Sequence, residues 1–175
     1  MPRQQARLAV TAVRPGGGQA MAHIRDVAAY ILTKRGPMTA MKLEKLCYYS
    51  YGYHLAWEGR KLFPEPFEAW ANGPVAPALY RLHRGRFNLQ AGDIPGSPEA
   101  LDAGERDSVD VVLDGYGGFS AYQLSQLTHR EPPWINARER DGAEPTERSS
   151  EQLLDDDIAV HFEALVAASA DTDER

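Results

Sequence analysis

Cysteine is nearly missing from this sequence, since Cys47 is the only one in 175 residues. A lone thiol excludes an internal disulfide and any zinc site built on several thiolates. No stretch approaches the ~20 consecutive apolar residues of a membrane span. The Gly-Lys-Ser/Thr turn that cradles phosphates is absent. Gly115-Tyr116-Gly117-Gly118 lacks the spacing of a dinucleotide fingerprint and follows a helical pattern rather than a strand. None of the five histidines, His23, His54, His83, His129 and His161, stands at the H-x-x-x-H spacing that puts two ligands on one helix face. Neither a cofactor nor a metal is therefore expected. Acid is scarce in one half only: residues 1–90 carry 13 Lys+Arg against 5 Asp+Glu, and residues 91–175 carry 6 against 20. Such asymmetry signals either an electrostatic partner or two halves that neutralise each other on folding.

What is present is the composition of one soluble globular domain, 43% apolar and 25% charged. Residues 1–20 hold three arginines, no acid and a Pro-Gly-Gly-Gly stop, and their apolar run is too short for a secretory signal. They are expected to be a disordered extension, and Met21 is a second candidate start. Ile24, Val27, Ala28 and Ile31 repeat at helical spacing up to Gly36-Pro37, where glycine is expected in the left-handed C′ position. Thr39 is placed to cap a second helix running to about Trp57, apolar or aromatic nearly all round and so expected at the centre. Gly52 inside it predicts a close crossing by another element.

Pro64 and Pro66 exclude a helix over residues 60–73, where Phe67–Ala71 suits a short strand. Pro74 is expected to open a helix carrying Val75, Leu79 and Leu82, and Ser97-Pro98-Glu99 reads as another helix start. Val109, Val112, Leu113 and Tyr116 mark a further helix, and Ser120 with Gln123 a capping box for one ending near Thr128. Pro132 and Pro133 are expected to break the helical run, with residues 137–150 mobile. Ser149 with Gln152 offers a last capping box, before a stripe of Leu154, Ile158, Phe162 and Leu165, and residues 169–175 are expected to form a flexible tail. The expected fold is a compact, mainly α single domain over 21–168, with about six helices and at most a very short β element.

Few residues suggest chemistry. Cys47, mid-helix among aromatics, reads as a small buried hydrophobe, although His54 lies two turns away on the same side. His129 and Glu131 together are the only candidate general acid–base pair. The competing reading has a cationic His129 closing a helix against its dipole and Trp134 plugging the core. Arg81, His83, Arg84 and Arg86, flanked by Tyr80 and Phe87, with Lys42, Lys45, Arg60 and Lys61, are the densest basic set, but the chain is acidic and nucleic acid is not expected as a partner. Asp155, Asp156 and Asp157 suit a helix N-terminus and are also candidates for docking on a basic protein.

Three stretches, in order, resemble the Panacea domain of SocA- and GepA-like antitoxins. The first is Thr39, Lys42-Leu43, Lys45-Leu46 and Tyr48-Tyr49; the second is Ala69-Trp70 with Gly73-Pro74-Val75; the third is Leu124-Ser125, Thr128-His129, Pro133 and Trp134. The resemblance spans roughly residues 21–165. It implies a mainly helical antitoxin of a bacterial or phage toxin–antitoxin pair, working in the cytoplasm by binding a cognate toxin. Delivery of the toxin to a protease is the alternative, and a small enzyme using His129 and Glu131 a further one. Most of the shared residues are of types that hold a core or a turn.

Overall fold

The structure, a computed structural model, describes residues 21–173; the expected N-terminal extension lies outside the described residues. The elements run α1 (Ile24–Arg35), β1 (Met38–Thr39), α2 (Ala40–Glu58), β2 (Glu68–Trp70), β3 (Gly73–Val75), α3 (Pro77–His83), β4 (Asn88–Leu89), a 3-10 turn (Pro98–Ala100), α4 (Ala103–Tyr116), α5 (Ala121–Thr128), α6 (Pro132–Asp141) and α7 (Asp155–Asp173). Mainly helical architecture is thus as expected. The strands form two antiparallel pairs, β1 with β4 and β2 with β3.

α2 is the axis of the fold, packed against α1, α4, α5 and α7. Its first turn is capped by Thr39, whose hydroxyl accepts from the Lys42 amide at 3.2 Å, and it stops at Gly59 in the left-handed conformation (φ 68°). Leu43, Leu46, Cys47, Tyr48 and Tyr49 are fully buried. α7 crosses α2 at Gly52, where a Cβ would stand 2.2 Å from Cε2 of Phe162. The Phe162 ring takes the place of the missing side chain and meets Tyr48, Tyr49 and Tyr53 edge-on, an arrangement aromatic quadrupoles favour.

Several local expectations are corrected. Gly36 is not left-handed (φ −68°, ψ 165°); glycine is required because a Cβ would approach the Leu32 carbonyl oxygen to 2.6 Å. Gly73-Pro74 forms a strand, and Pro77 opens the next helix instead. Ser97-Pro98-Glu99 yields only the 3-10 turn, because Asp102 and Glu105 supply the capping box that starts α4. Pro132 and Pro133 break α5 but also begin α6, where proline has no amide to lose. Ser149 caps nothing: it is buried and donates to Asp141 at 2.6 Å. The chain beyond it runs extended along β2, with the Ala69 amide donating to Glu151 O and the Leu153 amide to Phe67 O, both at 2.9 Å. α7 therefore starts only at Asp155, and it continues through residues 169–173.

Candidate functional site

The β2–β3 hairpin is where the shared residues converge. Five backbone carbonyls of this hairpin and its turn accept hydrogen bonds from side chains. Arg138 Nη1 donates to Ala69 O at 2.8 Å, Trp134 Nε1 to Trp70 O at 2.8 Å, His129 Nε2 to Ala71 O at 2.9 Å and Ser125 Oγ to Asn72 O at 2.7 Å. Lys45 Nζ closes the series on Pro74 O at 3.1 Å. The bonds to Ala69 O and Pro74 O are buried, where an unpaired carbonyl costs ~1–3 kcal/mol, and the other three fix the partly exposed turn.

Gly73 is obligatory there. Its φ is 114°, and a Cβ would come within 2.6 Å of both Lys45 Cε and Thr128 Oγ1. Thr128 is itself fixed by donating to Ser125 O at 2.8 Å. Pro74 and Val75 are buried in the strand. The Trp70 ring meets Tyr80 in a T-shaped contact, 4.8 Å between centres, and the Arg148 guanidinium lies 3.8 Å from its ring centre.

Beside the hairpin, burial dominates the electrostatics. Lys45 has no solvent exposure, and desolvation lowers its pKa to about 8. Glu44 is equally buried; its carboxylate accepts from the Ala76 amide at 3.0 Å and lies 2.9 Å from His83 Nε2. Burial raises the Glu44 pKa, and the His83 and Ala76 bonds oppose that rise. Cys47 is buried and its thiol is pushed well up, the state of a structural cysteine. His54 Nδ1 meets Ser108 Oγ at 2.8 Å rather than Cys47.

His129 and Glu131 do not form a pair. The His129 ring is turned onto Ala71 O and packs in a tilted contact on Trp134, 4.3 Å between ring centres. Glu131 instead accepts from the Tyr49 hydroxyl at 2.9 Å and lies 3.4 Å from His161 Nε2. His129 does end α5. Burial lowers its pKa, however, so it acts there as a neutral donor and not as a cation on the dipole.

The same stretches decide the family. The profile of the family described as "Antitoxin SocA-like, Panacea domain" matches residues 43–135, more than half of the chain. The chain belongs to this SocA-like Panacea antitoxin family. It is similar to Antitoxin SocA of Caulobacter vibrioides (strain NA1000 / CB15N), 41% identical over 126 residues that cover 63% of this chain and 67% of that protein. No solved structure matches. The SocA-like residues Thr39, Leu43, Lys45, Leu46, Tyr48, Trp70, Gly73, Pro74, Val75, Thr128, His129 and Trp134 thus build a capped central helix and a clamped hairpin.

The charged candidates separate. Asp155 accepts from the Tyr51 hydroxyl at 2.6 Å and pairs with Lys61 at 3.2 Å, and Asp157 lies 3.5 Å from Arg140. Asp156 alone of the three is exposed. The basic set is also dispersed: Lys45 and His83 are buried, Arg60 pairs with Asp102 and Arg86 with Asp93, while Arg81 and Arg84 stay exposed. Sequence reasoning missed Glu44 and Arg138. Arg138 follows Trp134 by one helical turn and stacks 4.9 Å from its ring, the spacing by which it was detectable.

Proposed function

We propose that this chain is an antitoxin that neutralises a cognate toxin protein by direct binding, without catalysis of its own. Membership of an antitoxin family carries the reading. It is supported by the use of the shared residues: they hold backbone carbonyls and fill the core, so recognition falls to the exposed positions, which are free to differ among family members. A catalytic role for His129 finds no support in its geometry, since its Nε2 hydrogen is committed to Ala71 O and Glu131 is engaged elsewhere. No helix among the described residues is long and apolar enough to cross a membrane.

The test is expression of the adjoining reading frame. Its product should arrest growth alone, and co-expression of this chain should restore growth with the two proteins co-purifying at fixed stoichiometry. His129→Gln should neutralise as well as the parent. Loss of neutralisation by a folded His129→Gln would favour an enzyme. A toxin whose lifetime falls on co-expression, while its activity per molecule stays constant, would replace blocking by delivery to a protease.

A further inference from the structure

Seven large apolar side chains are exposed among the described residues, and four of them belong to two segments that bond to the same turn of α2. Leu82 and Phe87 lie at the end of α3 and in the loop to β4; Phe119 and Tyr122 lie at the start of α5. Both segments are tied to the first turn of α2. The Ala40 amide donates to Phe87 O at 2.9 Å, and Lys42 Nζ donates to Gly117 O at 2.6 Å. Phe87 is 77% and Tyr122 73% exposed. Scattered single apolar residues need no explanation, but exposed aromatics on two segments anchored to the same turn do. A groove of about 230 Å³ runs along α5 between Phe119, Tyr122, Leu127 and Arg130.

The charge of these two segments is opposite to that of the whole chain. Residues 76–92 and 115–130 contain no Asp or Glu, although the net charge of the protein is −6. Arg81, Arg84 and Arg130 form no ion pair among the described residues, whereas Arg86 is held by Asp93 at 3.0 Å. Exposed aromatics with unpaired arginines are the composition of binding hot spots. Three unpaired arginines meet few phosphates, and the exposed aromatics call for an apolar counterpart, so a protein partner fits better than nucleic acid.

We infer that the toxin docks on the face formed by Phe87, Phe119, Tyr122 and Arg130, through a surface that is apolar at its centre and acidic at its edge. This deepens the antitoxin reading and rests on it. The probe is the purified product of the adjoining reading frame. If the unaltered chain neither binds it nor relieves its toxicity, the antitoxin reading falls, whatever the face does. Once that binding is established, Phe87→Ser and Tyr122→Ser should each weaken it about tenfold and together a hundredfold or more, with unchanged thermal unfolding. Arg130→Glu should slow association and flatten its salt dependence. Asp156→Lys and Val160→Ser on α7 are the controls, expected to bind within about twofold of the parent. The inference is overturned if the first set binds like the parent or only the α7 controls fail. It is equally overturned if the Ser variants abolish self-association of this chain while toxin affinity holds, or abolish binding of a mixed-sequence DNA duplex at physiological salt instead.

Discussion

Replacing Gly52 by alanine sets two effects of known sign against each other. Alanine in a helix interior is favoured over glycine by ~1 kcal/mol. Against this, the new methyl would lie 2.2, 2.3 and 2.5 Å from three carbons of the Phe162 ring. Carbon atoms rest at ~3.5–4.0 Å, so the ring or all of α7 must retreat by about 1 Å or more. The ring has no room to turn, because Tyr48, Tyr49 and Tyr53 lie 5.6, 5.9 and 5.0 Å from it, centre to centre. Overpacking costs ~1–3 kcal/mol, and complete loss of a buried phenylalanine ~3–5 kcal/mol. Steric cost therefore wins, with a net loss of roughly 2–3 kcal/mol and a fall in Tm of about 5–10 °C for a chain of this size. Urea unfolding followed by far-ultraviolet circular dichroism measures it. Phe162→Ala in the same background should cancel the clash, making the double variant markedly more stable than the sum of the two single losses. A Gly52→Ala protein as stable as the parent, or additive with Phe162→Ala, would refute the crossing.

Lys45 has a pKa near 8 in the folded chain against an ordinary 10.5, so its charge costs stability below pH 8 and that cost is relieved as pH rises towards 10.5. The stability of Lys45→Met relative to the parent should accordingly fall by up to about 3 kcal/mol between pH 7 and 10.5, read from paired urea titrations; a constant difference would contradict it. His129 also resists protonation because of burial, and the unfolded chain takes up the proton first on acidification. From pH 7 to 5 the parent should lose stability relative to His129→Gln. Trp134→Phe keeps most of the packing but removes the indole donor to Trp70 O, a loss of ~1 kcal/mol in the same assay. Arg138 Nη2 donates to Glu144 O and Glu147 O at 2.5 and 2.8 Å, so Arg138→Met should open residues 142–150 to limited proteolysis without dissolving α6.

Features specified by local sterics were readable in the sequence. Thr39 as a cap, Ser120 with Gln123 as a capping box and Gly52 as a contact point each depend on a few adjacent residues, and each stands as read. The clamp on the hairpin was not readable in that way. Its acceptors are backbone carbonyls, which carry no residue identity, and its donors come from positions 45 and 125–138, far from residues 69–74. His83 had the same difficulty: beside Arg81, Arg84 and Arg86 it looks like part of a basic surface, and only the fold brings it to Glu44, 39 residues away. Pro132-Pro133 carried two meanings at once, a stop for α5 and a start for α6, and composition favoured the first. Ser149 and Gln152 met the capping pattern, but pairing of residues 151–153 with β2 took precedence over a local cap.

The charge asymmetry along the chain has a different meaning in three dimensions. Four ion pairs join a base of the first half to an acid of the second: Arg35 to Asp114 at 2.9 Å, Arg60 to Asp102 at 3.1 Å, Lys61 to Asp155 at 3.2 Å and Arg86 to Asp93 at 3.0 Å. All include a partly exposed partner, so each is worth only ~0–1 kcal/mol, too little to explain the fold. Their effect is on the surface field. They neutralise much of the basic half where it meets the acidic half, and the residual sign of any patch follows from which charges stay unpaired. Beside α5 that is Arg130, which forms no ion pair among the described residues; at the start of α7 it is Asp156, because Asp155 and Asp157 are already engaged. A partner chosen by net charge would be basic. A partner chosen by the unpaired charges that sit beside exposed aromatics would be acidic, and desolvated contacts count for more in affinity than the distant field.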